Sequence, residues 1–445
     1  MPVVLRNCMT LLLVAVSTTL PGQEPLRSSE AGTVAIAAPL DGPLKAQPVS
    51  KHEAPSIQAM ELADFESLAF QSNPTLAAAT ARMNVARGKK LQAGLYPNPV
   101  VGYHGVEMGL RGTSGQQGGF ISQQFITGQK RQLDRAIAGK EIDEAHFRFY
   151  AQEQRVLSDV RIRFYDTLVA QRRVALTREL ARLGDELVTA TGRLIDARQG
   201  TENDLLQAEI RADESQILLS NSLNQNAEAW RRLVTIVGMP SMEFRPVAGK
   251  LDANLPNFDW DSCYAKVLDG NPVLQAARTR ADRAKIMVQR ARKEPIPNVD
   301  LSVSHRHHNV TTDDVTNVQV GIPIPVFNRN QGNIQSAQAQ WLAACNEARR
   351  VELDLQDRLA VAYRRYANAR QQVDRYSQRM VPRAERSLKL VTDGYRMGQV
   401  EYLTLLNAQQ TYLQVNLSYL NSLRELRTAS SEIDGQLLTG SLVSR

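Results

Sequence analysis

Cysteine is nearly absent: Cys8, Cys263 and Cys345 stand far apart in 445 residues, with no CxxC pair. That spacing excludes a zinc ribbon and a thioredoxin-type redox site, and gives the two distant thiols no reason to pair. Aromatics are scarce, at 6%. With Ala, Leu, Gln and Arg in long runs, this favours extended helix over layered cores. No segment reaches ~18 consecutive apolar residues, so helices are not the means of crossing any membrane. Charge of one sign is not concentrated either. The 53 Lys and Arg against 46 Asp and Glu leave a net +7, spread beside acids along helices, which marks solvated faces and no nucleic-acid stripe. Paired catalytic carboxylates and a Ser/His/Asp set at fixed spacing are missing, so no enzyme and no cofactor are expected. Gly128-Gln129-Lys130-Arg131 opens a helix after a strand but lacks the phosphate-loop pattern. Its basic pair suits a membrane–water boundary.

What is present begins with a short apolar run, Cys8 to Leu20, behind the single Arg6. Residues 1–22 thus resemble a signal peptide, too short for a spanning helix. Leu5-Arg6-Asn7 is no small-residue lipobox, so Cys8 is expected to leave with the signal. Residues 23–56 are rich in Pro, Ala, Ser and Gly and read as a flexible linker.

The chain then repeats itself with a period of about 200 residues. Asn73-Pro74-Thr75-Leu76 and Asn271-Pro272-Val273-Leu274 each open a helix, with Pro where its missing N–H costs nothing. Each helix runs into a proline cluster, Leu95-Tyr96-Pro97-Asn98-Pro99 or Glu294-Pro295-Ile296-Pro297-Asn298, which starts extended chain. Period-two segments follow, through Val101 and Tyr103, Phe120 to Phe125, Leu301 to His305, and Val318 to Ile322. These are four strands, two per repeat, joined by polar loops. Very long helices come next, from about Lys130 to Ile195 and from about Asn330 to Met397, interrupted only at Pro382. Each would be on the order of 100 Å long. Leu355, Leu359, Ala362, Tyr366, Ala369, Val373, Tyr376 and Met380 step by fours and threes, as do Leu176, Leu180, Leu183, Leu187, Ala190 and Leu194. This 3.5-residue period predicts coiled-coil packing. Gly200 and Gly398 mark the ends where the helices reverse.

The fold class is therefore mainly α with a small β part, in two tandem repeats of helix-strand-strand-long helix-helix. The first repeat covers 57–238, with strands in 99–125 and a helical hairpin over 130–237. A connecting segment, 239–258, leads to the second repeat at 259–437, with strands in 298–324 and a hairpin over 330–437, then a tail at 438–445. Four strands cannot close a membrane barrel, which needs about eight or more, and an open edge is forbidden in lipid. Several chains must share one barrel, and sequence physics does not choose between two copies and three.

The paired Asn-Pro-x-Leu openings, the Leu95–Pro99 turn, the Met380-Val381-Pro382-Arg383-Ala384-Glu385 kink and the Gly398–Gln409 stretch together resemble the TolC family of outer membrane efflux proteins. The resemblance covers about residues 57–437 and implies a homotrimer in outer membrane lipid. Its 12-stranded β-barrel would continue into an α-helical barrel across the periplasm. It implies a passive duct whose tips dock on a periplasmic adaptor, itself joined to an inner-membrane transporter of RND type. The duct of a type I protein-secretion system shares this architecture. A soluble periplasmic coiled-coil adaptor or scaffold would explain the heptads but leave the duplicated strands without a role.

Site residues follow from the same resemblance. Tyr395 matches a family tyrosine that helps hold the pore shut, whereas Val400 stands where an arginine is often found. Thr404 and Asn407 occupy the places of lumen-facing aspartates, and Asp204 matches an acidic position at the first tip. A three-fold ring of Asp204 would attract cations; the alternative for Asp204 is an N-cap. Arg198, Gly200, Arg396 and Gly398 are the tip positions expected to meet the adaptor. The tip patterns look similar to those of heavy-metal and cation efflux members. His305 and His307 share one strand face, with His308 turned to the loop; they are weak metal candidates against a solvated cluster. Tyr96, Phe125 and Phe327 are expected as an interfacial aromatic girdle, or as packing between barrel and helices.

Overall fold

In both repeats an asparagine ties the entering helix to the returning one. Asn73 caps α2 (Pro74–Ala93) by accepting from Thr75 N at 2.9 Å, and donates its Nδ2 to the Ile236 carbonyl at 2.7 Å. Asn271 caps α6 (Pro272–Lys293) by accepting from Val273 N at 2.9 Å, and donates to the Gln436 carbonyl at 2.9 Å. Both are buried, so each Asn-Pro signal does two jobs: it starts a helix and satisfies a carbonyl beyond the hairpin's return.

The structure is a computed structural model describing residues 59–109, 114–197, 200–309 and 311–443. The signal-peptide-like run, the linker and the docking candidate Arg198 lie outside the described residues. The first repeat is α1 (Leu62–Ser72), α2, β1 (Val100–Val106), β2 (Gln116–Phe125), α3 (Lys130–Asp196) and α4 (Glu202–Val237). The second is α5 (Trp260–Gly270), α6, β3 (Val299–His308), β4 (Asp314–Gly321), α7 (Gln331–Arg375), a π-helical turn (Tyr376–Met380), α8 (Val381–Arg396) and α9 (Tyr402–Asp434). The repeat order read from the sequence is the order found.

The π turn corrects one expectation. Leu355, Leu359, Ala362, Tyr366, Ala369 and Val373 are buried as the heptad predicts, but Met380 is 43% exposed. Val381 N–H bonds to the Tyr376 carbonyl, five residues back, which makes room for the Pro382 ring and shifts the phase. Ala384 takes the buried place instead. A second correction concerns α3. Its buried positions in this stretch are Val174, Thr177, Leu180, Ala181, Leu187 and Thr191, while Leu176, Leu183 and Ala190 are only half-buried. Small residues sit here because the helices come close: a Cβ on Gly184 would lie 3.2 Å from the Ala212 Cα.

The four strands form one antiparallel sheet in the order β1-β2-β3-β4, leaving β1 and β4 as free edges. Register puts Val101, Ile121, Val303 and Val318 in one row, and Gln123, Leu301 and Val320 in the next on that face. Alternate residues face the other way: Val100, Ser122, Ser302 and Gln319, then Gly102, Phe120, Ser304 and Asn317. One face is thus mainly apolar and the other mainly polar, the pattern of a strand between lipid and water. Phe120 lies over Gly102, where a Cβ would meet its ring at 2.4 Å.

The main core sits midway along the helices. Phe65, Val156, Phe164, Trp230, Leu274, Leu355, Leu359, Tyr366, Leu426 and Ile433 belong to one buried cluster that includes Val247 and Leu251 of the connecting segment. Backbone pairing between Met60 and Val247 holds that segment. The Tyr366 hydroxyl donates to the Pro256 carbonyl at 2.9 Å, and Arg427 donates to the carbonyls of Leu251 and Ala253. Nearer the sheet, buried Glu144 of α3 receives Arg280 at 2.9 Å and Arg283 at 3.1 Å from α6, joining the two repeats. Cys263 is buried and Cys345 exposed, both free.

Candidate functional site

The two hairpin ends lie side by side and share a small cluster. Leu187 of α3, Ala208 of α4, Tyr395 of α8, and Tyr402 and Leu405 of α9 are buried together. The Tyr395 hydroxyl is 3.2 Å from the Thr191 hydroxyl inside this cluster, so it ties α8 to α3 across the two repeats. The second hairpin closes through Gly398 at φ +69°, with Gly398 N bonded to the Tyr395 carbonyl at 2.9 Å and Gln399 N to the Gly394 carbonyl at 2.9 Å. Gly394 lets Val400 fold back against the helix, since a Cβ there would sit 2.7 Å from a Val400 methyl. Arg396 is exposed and 3.8 Å from Glu186. Gly200, also at an end, adjoins residues outside the described set.

Asp204 is not the N-cap of α4. Thr201 is the cap, accepting from Asp204 N at 3.2 Å, and Asp204 Oδ2 answers by accepting from Thr201 N at 3.1 Å and Thr201 Oγ1 at 2.7 Å. Reciprocal bonding of this kind fixes the turn. Thr404 occupies the matching third position of α9, with Thr404 N bonded to the Glu401 carbonyl at 3.1 Å. Thr404 and Asn407 are exposed, while Tyr402, Leu405 and Ala408 point inward.

Tyr402 is a tip residue that sequence reading missed; its signal was an aromatic seven positions after Tyr395. Its ring lies 6.0 Å from that of Tyr395, and its hydroxyl is buried without a hydrogen-bond partner. Burial pushes the Tyr402 phenol up to about 12. A group whose folded pKa is raised stabilises the folded form below its unfolded value, and that contribution is lost as pH rises through the folded value. The tip cluster is therefore expected to loosen between about pH 10 and pH 12. Fluorescence of a probe on Met397→Cys in the Cys345→Ser chain should report this. Tyr402→Phe should flatten the transition; a transition unchanged in that variant would show that another group drives it.

At the other end, His305 and His307 stand on the same face as the apolar rows, beyond Val303. His305 Nδ1 is 3.0 Å from Thr316 Oγ1, and His307 Nδ1 is 2.9 Å from Asp314 Oδ1. Asp314, on the facing strand, is a neighbour that sequence distance concealed. His308 takes the polar face, its Nδ1 accepting from Thr311 N at 3.1 Å. No group of three or more His, Cys, Asp or Glu side chains suited to a metal occurs among the described residues. At the sheet's base Lys130 is buried, its Nζ donating to Asn298 Oδ1 at 2.9 Å, and is not the boundary-facing cation the sequence suggested. Arg131 stacks on Tyr96 at 3.3 Å from the ring centroid, while Tyr96 itself stays 62% exposed. Phe327 is 91% exposed and Phe125 47%.

No helix among the described residues is long and apolar enough to cross a membrane. A two-faced sheet running into long helices defines the class: an outer membrane channel with its helical part in the periplasm. Residues 263–437 match the family model of the outer membrane efflux proteins, and the chain is an outer membrane efflux channel. The cobalt-zinc-cadmium resistance protein CzcC of Cupriavidus metallidurans is 27% identical over 370 residues, which span 83% of this chain and 87% of that protein. The fold is also that of VceC from Vibrio cholerae, with TM-score 0.70 and 18% identity over 85% of this chain and 96% of the other. The open-state channel MtrE of Neisseria gonorrhoeae gives TM-score 0.71 and 16% identity over 85% of this chain and 89% of the other. Channels of this family are trimers that work with adaptors and inner-membrane transporters.

Proposed function

We propose that three copies close their four-stranded sheets into one twelve-stranded barrel and their helices into a tunnel, forming the passive exit duct of a tripartite metal-cation efflux system. The single observation that carries this reading is the sheet: apolar on one face, polar on the other, with both edges unpaired. Lipid does not tolerate such edges, and closure with neighbouring copies removes them. A soluble adaptor would have no use for that apolar face.

The duct carries cargo through water and performs no covalent step. Its hairpin ends, with Gly200, Arg396, Gly398 and Arg198, meet a periplasmic adaptor, which couples the duct to an RND-type inner-membrane transporter. The metal-cation assignment is supported by the likeness to CzcC, and it favours efflux over type I protein secretion. Near the entrance Asp204 supplies three carboxylates around the axis, with Tyr395, Thr404 and Asn407 completing the constriction. His305 and His307, on the lipid side of the sheet, take no part in the cargo path.

Single-channel recording of the purified chain in a planar bilayer tests this. Discrete, long-lived steps with a cation-selective reversal potential in a salt gradient are expected. Asp204→Asn should move that potential toward zero while leaving the steps. Selectivity unchanged in Asp204→Asn would remove the carboxylate ring and keep the duct; a chain that never conducts would remove the duct.

A further inference from the structure

Beyond its middle apolar row, the same face of the sheet changes character. The next row is Tyr103, Gly119, His305 and Thr316, and the one after it Gly105, Gln117, His307 and Asp314. Both histidines are exposed. No lysine or arginine stands in either row. Arg306, between the histidines in sequence, faces the other way with His104, Gly118 and Val315. Gly119 leaves the space beside His305 open, since a Cβ there would meet nothing nearer than the Gly102 carbonyl oxygen at 3.7 Å. His308 stays apart, on the polar face, with its Nδ1 already accepting from Thr311 N.

Each of the two rings is held through one nitrogen. His307 Nδ1 lies 2.9 Å from Asp314 Oδ1. An ionised carboxylate only accepts, so Nδ1 carries the proton and Nε2 of the neutral ring is a bare lone pair. His305 Nδ1 lies 3.0 Å from Thr316 Oγ1, which can accept its proton likewise. An outer oxygen on one ring nitrogen, with the other left free, is how metal-binding histidines are oriented and made more basic.

The spacing suits the same use. Residues two apart on a strand share a face and stand about 7 Å apart at the backbone. Two Zn–N bonds of about 2.1 Å in tetrahedral geometry need the Nε2 atoms about 3.4 Å apart. Imidazoles on that base reach this by leaning together.

We propose that His305 and His307 chelate one borderline transition-metal ion, Zn2+ or Cu2+, through their Nε2 atoms, with Asp314 and Thr316 orienting the rings and water filling the remaining positions. Two protein ligands make an exchangeable site, unlike the closed four-ligand cage of a structural zinc. Imidazole suits such ions, whereas Mg2+ and Ca2+ take oxygen ligands. Every group comes from the β3–β4 hairpin, so the site is complete in one chain. It goes beyond the duct reading and does not rest on it. The ion would sit at the rim of the sheet on the apolar-row face, away from the polar face.

Zinc chloride titrated by calorimetry into the full-length Cys345→Ser chain, purified in detergent without a histidine tag, tests this. Replacing Cys345 removes the exposed thiol as a competing ligand. Zinc should bind at a stoichiometry of about one per chain, and His305→Gln or His307→Gln should weaken it by more than ~100-fold. His308→Gln should leave it unchanged. Asp314→Ala should weaken zinc by about tenfold, and Asp314→Asn, which keeps an acceptor for His307, by less. Affinity unchanged in Asp314→Ala would overturn the orienting role. Cu2+ bound to the same chain should give an electron paramagnetic resonance spectrum with two imidazole nitrogens, a readout that needs no histidine variant to fold. No zinc bound, zinc retained by either histidine variant, zinc lost equally from His308→Gln, or zinc displaced by excess Mg2+ would each overturn the site. A copper spectrum without two nitrogens would do the same.

Discussion

Chains carrying Val303→Arg are expected to be absent from the outer membrane, while chains carrying Ser302→Arg assemble there normally. The two positions are neighbours on β3 and pair with Ile121 and Ser122 respectively, so backbone effects are matched. They differ in the face they occupy. Val303 sits in the middle apolar row, between Ile121 and Val318. An arginine near the bilayer midplane costs about 2–4 kcal/mol, and each copy in the oligomer bears that cost. Ser302 shares its row with Val100, Ser122 and Gln319 on the polar face, where a long cation can reach water. Membrane fractionation followed by electrophoresis of unheated samples distinguishes the two. Equal loss of both variants would show that the sheet does not separate lipid from water.

Asn271→Ala is expected to cost about 2–4 kcal/mol, more than an ordinary helix cap of ~1 kcal/mol. The excess arises because Nδ2 also satisfies the Gln436 carbonyl at 2.9 Å, which would be left buried without a donor. Asn271→Asp keeps the acceptor for Val273 N and removes only the donor, so it should preserve the cap and lose the bridge. Asn73 holds Ile236 in the same way, and Asn73→Ala should match Asn271→Ala. Urea unfolding followed by far-UV circular dichroism measures both. Equal stability of Asn271→Ala and the unaltered chain would mean that water replaces the bridge.

These two predictions differ in how far the sequence reached them. The period-two segments specified which strand residues share a face, because side chains alternate regardless of what the strand pairs with. The Asn-Pro openings specified both helix starts, because a cap and its donors lie within three residues of each other. The asparagine's second bond was not visible, since Ile236 and Gln436 lie more than 160 residues away.

The tip shows the same division. Gly398 was readable as a turn glycine and takes φ +69°. Asp204 was read as a possible cap, but Thr201 is the cap and Asp204 its reciprocal partner; both residue types suit that turn, and only the backbone decides between them. Tyr402 gave little signal, because an aromatic at a helix start is buried or exposed according to what lies across from it. The heptad through Tyr376 and Met380 failed where the π turn changed the phase. Pro382 announced an interruption, but not the direction in which the helix would be rotated.

The sequence by itself determined the duplicated order of elements, the strand period and the two Asn-Pro caps, because each depends on residues a few positions apart. Only the tertiary structure decided which helices pack against which, α3 against α4, α6 and α9 and α9 against α8, and the pairing of Tyr395 with Thr191. Which helix lies beside which follows from contacts across 200 residues of chain, where many residues compete for the same apolar partner and packing alone selects one.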